Sequence, residues 1–343
     1  MFFDYAKICQ NLIRDLPQRQ KEVISRRFGL KTGQKETLEA IGKDYGITRE
    51  RVRQIEEDGF LRLEPKIGQF QKTFQYLTDQ LKNFGDLKKE DILFQELGGR
   101  RFQPQIYFLL TLGPNFEKVG ESDELYSLWT INRNSLVLAE KVIDSFYNQL
   151  KKINQPLSLE ALKPSRVVGR RRPLSQTVLL TYLEISKKIQ KNYEGLFGLK
   201  DWPEINPRGV KDKAYLVFKK TQKPLHFNQV AELIDAALGR EFSLQGELSH
   251  PNPQTVHNEL IRDERFVLVG RGIYALREWG YEPGQVKDII FKILKDGGKP
   301  LTKEEILEKT LRQRLVKENT VLLNLSNKKY FLKTSQGYTI RKA

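Results

Sequence analysis

Residues 37–63 constrain the fold more than any other stretch, because their caps and apolar spacing describe two helices joined by a tight turn. Thr37 and Thr48 are good N-cap residues, and each precedes a run with apolar side chains at helical spacing. Gly46 lies between the runs and supplies the positive φ that such a turn needs. We predict a helix-turn-helix in which Ala40 leaves room for the second helix to cross closely.

The second helix presents polar side chains opposite its apolar stripe of Val52 and Ile55. Arginine can bind guanine O6 and N7, glutamine can pair with adenine, and glutamate can accept from cytosine N4, each contact contributing roughly 1–3 kcal/mol of discrimination. An ordinary amphipathic helix with solvated charges has the same pattern, so spacing alone leaves both interpretations open. The outward set is Arg49, Glu50, Arg53 and Gln54.

Three segments, at residues 16–30, 37–42 and 48–56, resemble region 4 of bacterial primary sigma factors in order and in spacing. The resemblance covers about the first fifth of the chain. It implies that the second helix enters the major groove of a promoter −35 element, and that the domain docks on the flap of the RNA polymerase β subunit. The residues expected at DNA are then Thr48, Arg49, Glu50, Arg51, Arg53 and Gln54.

The resemblance ends at residues 57–59, Glu-Asp-Gly, where the family usually carries small and basic residues. The acids Glu57 and Asp58 are expected near the DNA backbone. Gly59 is expected to weaken the helix by about 1 kcal/mol relative to alanine. We expect these departures to affect affinity rather than fold.

Beyond Phe70 the sequence repeats itself, with a period of roughly 65–80 residues. A phrase Gln-Thr-Val, or a close relative, occurs at 176–178, 254–256 and 319–321, with a fainter copy at 105–107. Each copy is followed by leucines at helical spacing and then by an aromatic-apolar strand. Helices followed by a two-strand hairpin predict a winged helix, so we expect four of these modules in tandem.

The third copy carries a second resemblance. Residues 214–218, 223–227 and 265–279 are similar to the HARE-type winged helix, known from the delta subunit of bacterial RNA polymerase, chromatin regulators and some restriction enzymes. In a winged helix the third helix and the wing usually contact the ligand, although some wings only stack modules. The outward residues expected there are Gln254, His257 and Asn258, with Arg271 in the wing.

The expected fold class is mainly α: a sigma region 4-like helix-turn-helix followed by about four tandem winged-helix modules with small β-hairpin wings. The sequence predicts a helix-turn-helix domain over 1–66 and winged-helix-like modules over 67–133 and 134–206. A HARE-type winged helix over 207–282 and a C-terminal winged helix over 283–343 complete the prediction.

A basic loop at 163–173 belongs to the second module. Its arginines could insert into a minor groove, clamp phosphates or only aid solubility, and the sequence does not choose among these. The residues concerned are Arg166, Arg170, Arg171 and Arg172.

A net charge of +16 over 343 residues indicates a polyanionic partner, with nucleic acid the first candidate and an anionic membrane surface the second. No apolar run approaches the ~20 residues that span a bilayer, and the N-terminus lacks a signal-peptide pattern. We expect a cytoplasmic, nucleoid-associated protein.

The sequence contains no candidate catalytic site. The single cysteine, Cys9, excludes an internal disulfide and is expected in the core, and the three histidines are too scattered in the sequence to predict a metal site. Phosphate-binding loops, nucleophile elbows and zinc-protease helices are missing. We expect no enzyme activity and no cofactor.

Two functional hypotheses remain ahead of the others. The first is a DNA-binding transcription factor of sigma-like type that reads promoter-like duplex DNA and contacts RNA polymerase. The alternative is a polymerase-associated interaction protein that binds the enzyme rather than a specific DNA site. A targeting subunit of a restriction or modification system ranks third, and RNA binding ranks below it. Region 4 placed first, without the aromatic helix that melts the −10 element, suggests an accessory factor rather than an initiator.

Overall fold

The computed structural model describes residues 3–162, 174–242 and 251–341, except for the side chains of 235–242. The described chain is mainly helical with antiparallel sheets of two or three strands, which confirms the expected fold class. It divides into two compact units, Met1–Lys200 and Asp201–Ala343.

The N-terminal unit begins with the predicted helix-turn-helix. The hydroxyl oxygens of Thr37 and Thr48 accept hydrogen bonds from the backbone amides of Ala40 and Arg51, each at 3.1 Å. Gly46 ends the first helix of the motif at φ 62°, so the predicted caps and turn are confirmed. The helices are α1 (Tyr5–Ile13), α2 (Gln18–Phe28), α3 (Leu38–Tyr45) and α4 (Arg49–Leu63).

The close approach between α3 and α4 lies at Gly42, and the prediction that Ala40 provides it is wrong. Ala40 is exposed to solvent, whereas Gly42 is buried. A Cβ on Gly42 would lie 2.7 Å from the carbonyl oxygen of Ile47 and 3.4 Å from a methyl of Val52. The tight turn therefore depends on a residue without a side chain at this position.

We expect Gly42→Ala to destabilise the protein by about 1–3 kcal/mol, because the new methyl meets a backbone carbonyl that cannot move without opening the turn. Chemical denaturation of both proteins measures the loss. Gly68→Ala is the matched control, since a Cβ there meets no atom within 4 Å. Equal midpoints for Gly42→Ala and the native protein would contradict the assigned packing.

A second glycine, Gly59, brings α4 close to α2. It is buried, and an added Cβ would lie 2.7 Å from the Cδ1 of Ile24. The glycine that departs from the sigma pattern thus has a packing reason, which offsets its low helix propensity.

Two repeats of similar order complete this unit. The first repeat follows a 3-10 helix (Glu64–Phe70) and comprises α5 (Gln71–Asn83), β1 (Leu87–Lys89), α6 (Glu90–Gly98), α7 (Gln103–Leu112), β2 (Glu117–Val119) and β3 (Leu128–Thr130). Its sheet has the order β1-β3-β2. The second repeat comprises α8 (Arg133–Ile153), α9 (Gln176–Glu184), β4 (Ile189–Lys191) and β5 (Phe197–Leu199).

The helix-turn-helix and the first repeat share one hydrophobic core. Phe108 of α7 is fully buried, and its ring contacts Phe28 at 5.2 Å and Phe60 at 6.0 Å between ring centroids. Cys9 of α1 is buried in the same cluster, as predicted, and burial raises the pKa of its thiol. Apolar packing therefore continues across Lys66, where the sequence predicts a domain boundary.

The C-terminal unit contains two more repeats. The third repeat comprises α10 (Gly209–Thr221), β6 (Leu225–His226), α11 (Phe227–Phe242), α12 (Pro253–Arg262), β7 (Phe266–Gly270) and β8 (Ile273–Leu276), with sheet order β6-β8-β7. The fourth repeat comprises α13 (Val286–Gly297), α14 (Lys303–Gln313), α15 (Glu318–Leu325), β9 (Phe331–Thr334) and β10 (Gly337–Ile340).

A leucine after the first helix of each repeat pairs with the last strand of that repeat's hairpin. This shared pairing brings the hairpin back against the helices, so the four repeats follow one scheme. The winged-helix assignment and the module boundaries stay predictions. The antiparallel pairs are Leu87 with Thr130, Leu157 with Phe197, Leu225 with Tyr274, and Leu301 with Tyr338.

Candidate nucleic-acid interface

Helix α4 presents the predicted polar face to solvent. Val52 and Ile55 are buried against Val23 and Ile41, which fixes the rotation of the helix. The opposite face is therefore held outward by apolar packing rather than by its own charges. The exposed residues on it are Arg49, Glu50, Arg53 and Gln54, and Arg51 is exposed beside this face.

Arg53 is held between two carboxylates on the same helix. Its guanidinium forms an ion pair with Glu50 at 2.7 Å and a second with Glu57 one turn further on. The hydrogen bonds from Arg53 lower the pKa of the Glu50 carboxyl and raise that of the guanidinium. These carboxylates use part of the donor set of Arg53 and therefore compete with a base or a phosphate for its guanidinium.

The remaining polar groups at the start of α4 also have local partners. The guanidinium of Arg51 donates to the amide oxygen of Gln54 at 3.0 Å. The hydroxyl of Thr48 caps the helix, so its lone pairs are partly used inside the protein. Arg49 forms no ion pair with another described residue, which leaves its guanidinium available for a ligand.

Helix α4 carries no net charge. The range Arg49–Leu63 contains four arginines and four acids, and Glu56 is half-buried beside Arg27 at 3.7 Å. Burial raises the pKa of the Glu56 carboxyl. A helix of this composition can select a sequence, but it attracts a polyanion weakly.

The helices that begin at the repeated phrase in the first two repeats, α7 and α9, are packed within the N-terminal unit. Helix α7 has buried residues on all sides, including Ile106, Phe108 and Leu110. In α9 the Tyr182 hydroxyl donates to the carbonyl oxygen of Gly85 at 3.5 Å, and Val178 packs against the same glycine. Helix α7 therefore has no free face for a ligand, whereas α9 keeps only its first turn, with Gln176 and Thr177, exposed.

In the third repeat, α12 keeps part of its predicted outer face. Gln254 and Asn258 are exposed and hydrogen-bonded to each other at 3.2 Å. Arg271 is exposed at the hairpin tip, beside Gly272, whose φ of 69° permits the two-residue turn. The three side chains are accessible, and their contact with DNA stays a prediction.

His257 does not point outward as predicted. It is half-buried, with its Nδ1 3.1 Å from the Tyr274 hydroxyl and its ring centroid 4.6 Å from that of Phe227. Its ring is therefore part of the packing between α12, the hairpin and α11. Helical spacing predicted an outward side chain, but it could not show that the Tyr274 hydroxyl lies within hydrogen-bonding distance of the His257 ring.

The arginines of the predicted basic loop, Arg166, Arg170, Arg171 and Arg172, lie outside the described residues.

Sequence reasoning did not single out the fourth repeat as a basic surface. Between Lys317 and Arg341 the sequence contains one acid, Glu318, against five basic residues. Counting charges segment by segment would have shown this. The basic residues are Lys317, Lys328, Lys329, Lys333 and Arg341.

Across residues 3–162, 174–242 and 251–341, no group of three or more His, Cys, Asp or Glu side chains is placed to hold a metal ion. Within the same ranges no helix is both long and apolar enough to cross a membrane.

Comparison with known proteins identifies the N-terminal segment. Residues 12–64 match the family model for sigma-70, region 4, which confirms the resemblance seen in the sequence. The RNA polymerase sigma factor RpoS of Coxiella burnetii (strain RSA 493 / Nine Mile phase I) is 44% identical over 69 residues. That match covers 18% of this chain and 20% of the relative. The HARE-type resemblance of the third repeat stays a prediction.

Proposed function

We propose that this protein is a DNA-binding transcription factor of sigma-like type, which reads promoter-like duplex DNA through α4 and contacts bacterial RNA polymerase, including its β flap. One observation carries the proposal: a sigma-70 region 4 segment in which the polar face of α4 is exposed. The relative that shares this segment is itself an RNA polymerase sigma factor. We assign the protein a non-enzymatic role at the nucleoid in the cytoplasm.

In this proposal the side chains of α4 have different tasks. Arg49 and Arg53 bind guanine edges, Gln54 pairs with adenine, and Glu50 accepts from cytosine or positions Arg53. The backbone amides at the start of α4 and nearby cations hold phosphates and fix the register of the helix in the groove. Discrimination then comes from α4, and much of the affinity comes from other parts of the chain.

Selection of bound duplexes from a random pool tests this function. The full chain should enrich a related set of sequences, and the enriched duplex should bind more tightly than a shuffled duplex at the same salt concentration. Binding should weaken linearly in log salt. Recovery of unrelated sequences with equal affinities would refute base reading by α4.

A second candidate is an interaction protein that binds polymerase and no specific DNA site. The charge balance of α4 and the two carboxylates on Arg53 favour it. The two functions separate when the protein is offered immobilised polymerase core enzyme and, separately, its selected duplex. Capture by the enzyme without any duplex binding at physiological salt supports this candidate and contradicts the first.

Glu57 offers a direct test of the ion pairs. We expect Glu57→Gln to raise affinity for duplex DNA about two- to fivefold more than Asp58→Asn does, because only the first change removes one of the two carboxylates paired with Arg53. Asp58 is exposed and forms no ion pair with another described residue, so its change removes the same charge alone. Fluorescence anisotropy with one labelled duplex measures both. Equal gains from the two changes would show that Glu57 acts only through its charge.

A further inference from the structure

Half of the net charge of the protein lies in its last 61 residues. Residues 283–343 contain fourteen lysines and arginines and six acids, a net charge of +8 out of +16 for the chain. Within this repeat the second half is the more basic, since Glu318 is its single acid between Lys317 and Arg341. This concentration contrasts with α4, which has no net charge.

The cations of this second half are available to a ligand. Lys317, Lys328, Lys329 and Lys333 are exposed, and none of them forms an ion pair with another described residue. By contrast, Lys292 on α13 is paired with Glu282 at 2.7 Å. Ammonium groups without carboxylate partners bind phosphates without first breaking an internal contact.

These lysines flank one helix and its hairpin. Lys317 is the N-cap residue of α15, and Lys328 and Lys329 follow its last turn. The guanidinium of Arg341, just after β10, donates to the carbonyl oxygen of Lys328 at 2.8 Å, which fixes the end of the hairpin beside that turn. Lys333 lies on β9 opposite Tyr338.

The outer face of α15 is uncovered. Asn319 and Thr320 are exposed, and Leu323 is 73% exposed although it lies in the middle of the helix. The corresponding helix of the first repeat, α7, is covered by packing within its own unit. Helix α15 therefore combines an uncovered face with exposed cations around it that form no ion pair with another described residue.

We propose that the free face of α15 and the β9–β10 hairpin bind the phosphate backbone of duplex DNA and supply affinity that α4 lacks. The surface is positively charged and therefore complementary to a polyanion. Its flexible lysines act as point charges that bind phosphates, and they do not read bases. The exposed leucine suits contact with sugars or thymine methyl groups. This inference rests on the proposed DNA-binding function and adds a second, sequence-independent site to it.

The test uses the full chain with Lys328→Gln, Lys329→Gln and Lys333→Gln combined. Each phosphate contact contributes about 0.9 to the slope of log affinity against log salt, so we expect the slope to fall by about two to three. Affinity at physiological salt should fall about 100-fold, equally on the selected and the shuffled duplex. Thermal melting checks that the variant is folded.

The matched control removes three exposed lysines from the other helices of the same repeat: Lys295→Gln, Lys303→Gln and Lys309→Gln. It loses the same net charge, and we expect at most about a threefold loss of affinity. Equal losses in the two variants would overturn the inference, because net charge alone would then explain the result. An unchanged salt slope in the first variant would overturn it as well.

Two further results separate this inference from the proposed function. If Arg49→Ala with Arg53→Ala leaves sequence preference unchanged while the lysine variant binds weakly, base reading by α4 fails and this site stands. If wild-type protein binds vesicles of phosphatidylglycerol, and the lysine variant loses that binding without losing duplex DNA, the surface serves a membrane and the inference is overturned. Tighter binding of duplex RNA than of duplex DNA at equal salt would also overturn it.

Discussion

Arg53→Ala and Arg49→Ala should each flatten the sequence preference of the protein, with affinity for the selected duplex falling about 10- to 100-fold and affinity for a shuffled duplex changing much less. The reason is that a bidentate contact to guanine O6 and N7 exists on one sequence and is missing on the other. Competition binding with the two duplexes at one salt concentration measures the ratio of affinities directly.

The two substitutions should differ in how much affinity for DNA they remove. Arg49 forms no ion pair with another described residue, so its loss leaves no carboxylate without a hydrogen-bonded cation. Loss of Arg53 also leaves Glu50 and Glu57 without their cation beside a phosphate backbone, which adds repulsion. We therefore expect Arg53→Ala to be the more damaging on every duplex.

Arg62→Ala is the control on the same helix. Arg62 is exposed near the C-terminal end of α4, away from the residues expected in the groove. Its loss should weaken both duplexes alike, as expected of a phosphate contact. If Arg49→Ala and Arg53→Ala behave as Arg62→Ala does, then α4 binds backbone and reads no bases.

The parts of this fold that the sequence predicted are those set by local chemistry. A threonine that accepts from an amide three residues later, and a glycine at positive φ, act within one turn of the chain. Thr37, Thr48 and Gly46 could therefore be assigned before any tertiary contact was known. The inward stripe of Val52 and Ile55 follows from helical periodicity in the same way.

The contacts that the sequence did not predict depend on which helices pack against each other. Ala40 and Gly42 are both small, and only the packing of α4 on α3 shows that Gly42 is the contact. From the sequence alone, Gly59 is expected to lower the helix propensity of α4, and only the structure shows that Ile24 packs against it. The ion pairs of Arg53 are a partial exception, because Glu50 and Glu57 lie at the spacings that pair along a helix.

The burial of α7 could have been predicted from the sequence. A helix that is apolar on all sides is buried, and the run Ile-Tyr-Phe-Leu-Leu at residues 106–110 is of that kind. Comparing the third helices by the polarity of all their faces, rather than by the shared phrase at their start, would have separated α7 from α15. The repeats thus share the pairing between the leucine and the hairpin, but α7 is covered by other parts of the protein whereas the outer face of α15 is exposed to solvent.

Phe108→Ala should destabilise the N-terminal unit by about 3–5 kcal/mol, because it removes a fully buried ring from the centre of a shared core. A typical domain has a stability of about 5–15 kcal/mol, so the loss is a large part of the whole. Chemical denaturation in a Trp202→Phe, Trp279→Phe background follows the transition through Trp129 alone, which is buried in that core. Leu323→Ala, at an exposed position on α15, should change stability by about 0.5 kcal/mol or less.

The same variant distinguishes a shared core from independent domains. Phe108 lies against Phe28 at the end of α2 and against Phe60 within α4, so its loss should loosen the helix-turn-helix together with the first repeat. Hydrogen exchange should become faster in peptides from α2, α4 and α7 to a similar extent. Faster exchange in α7 with unchanged exchange in α4 would instead support a domain boundary near Lys66. A helix-turn-helix that is stable only on its neighbour would make the first repeat part of the proposed DNA-reading unit, because the orientation of α4 then depends on α7.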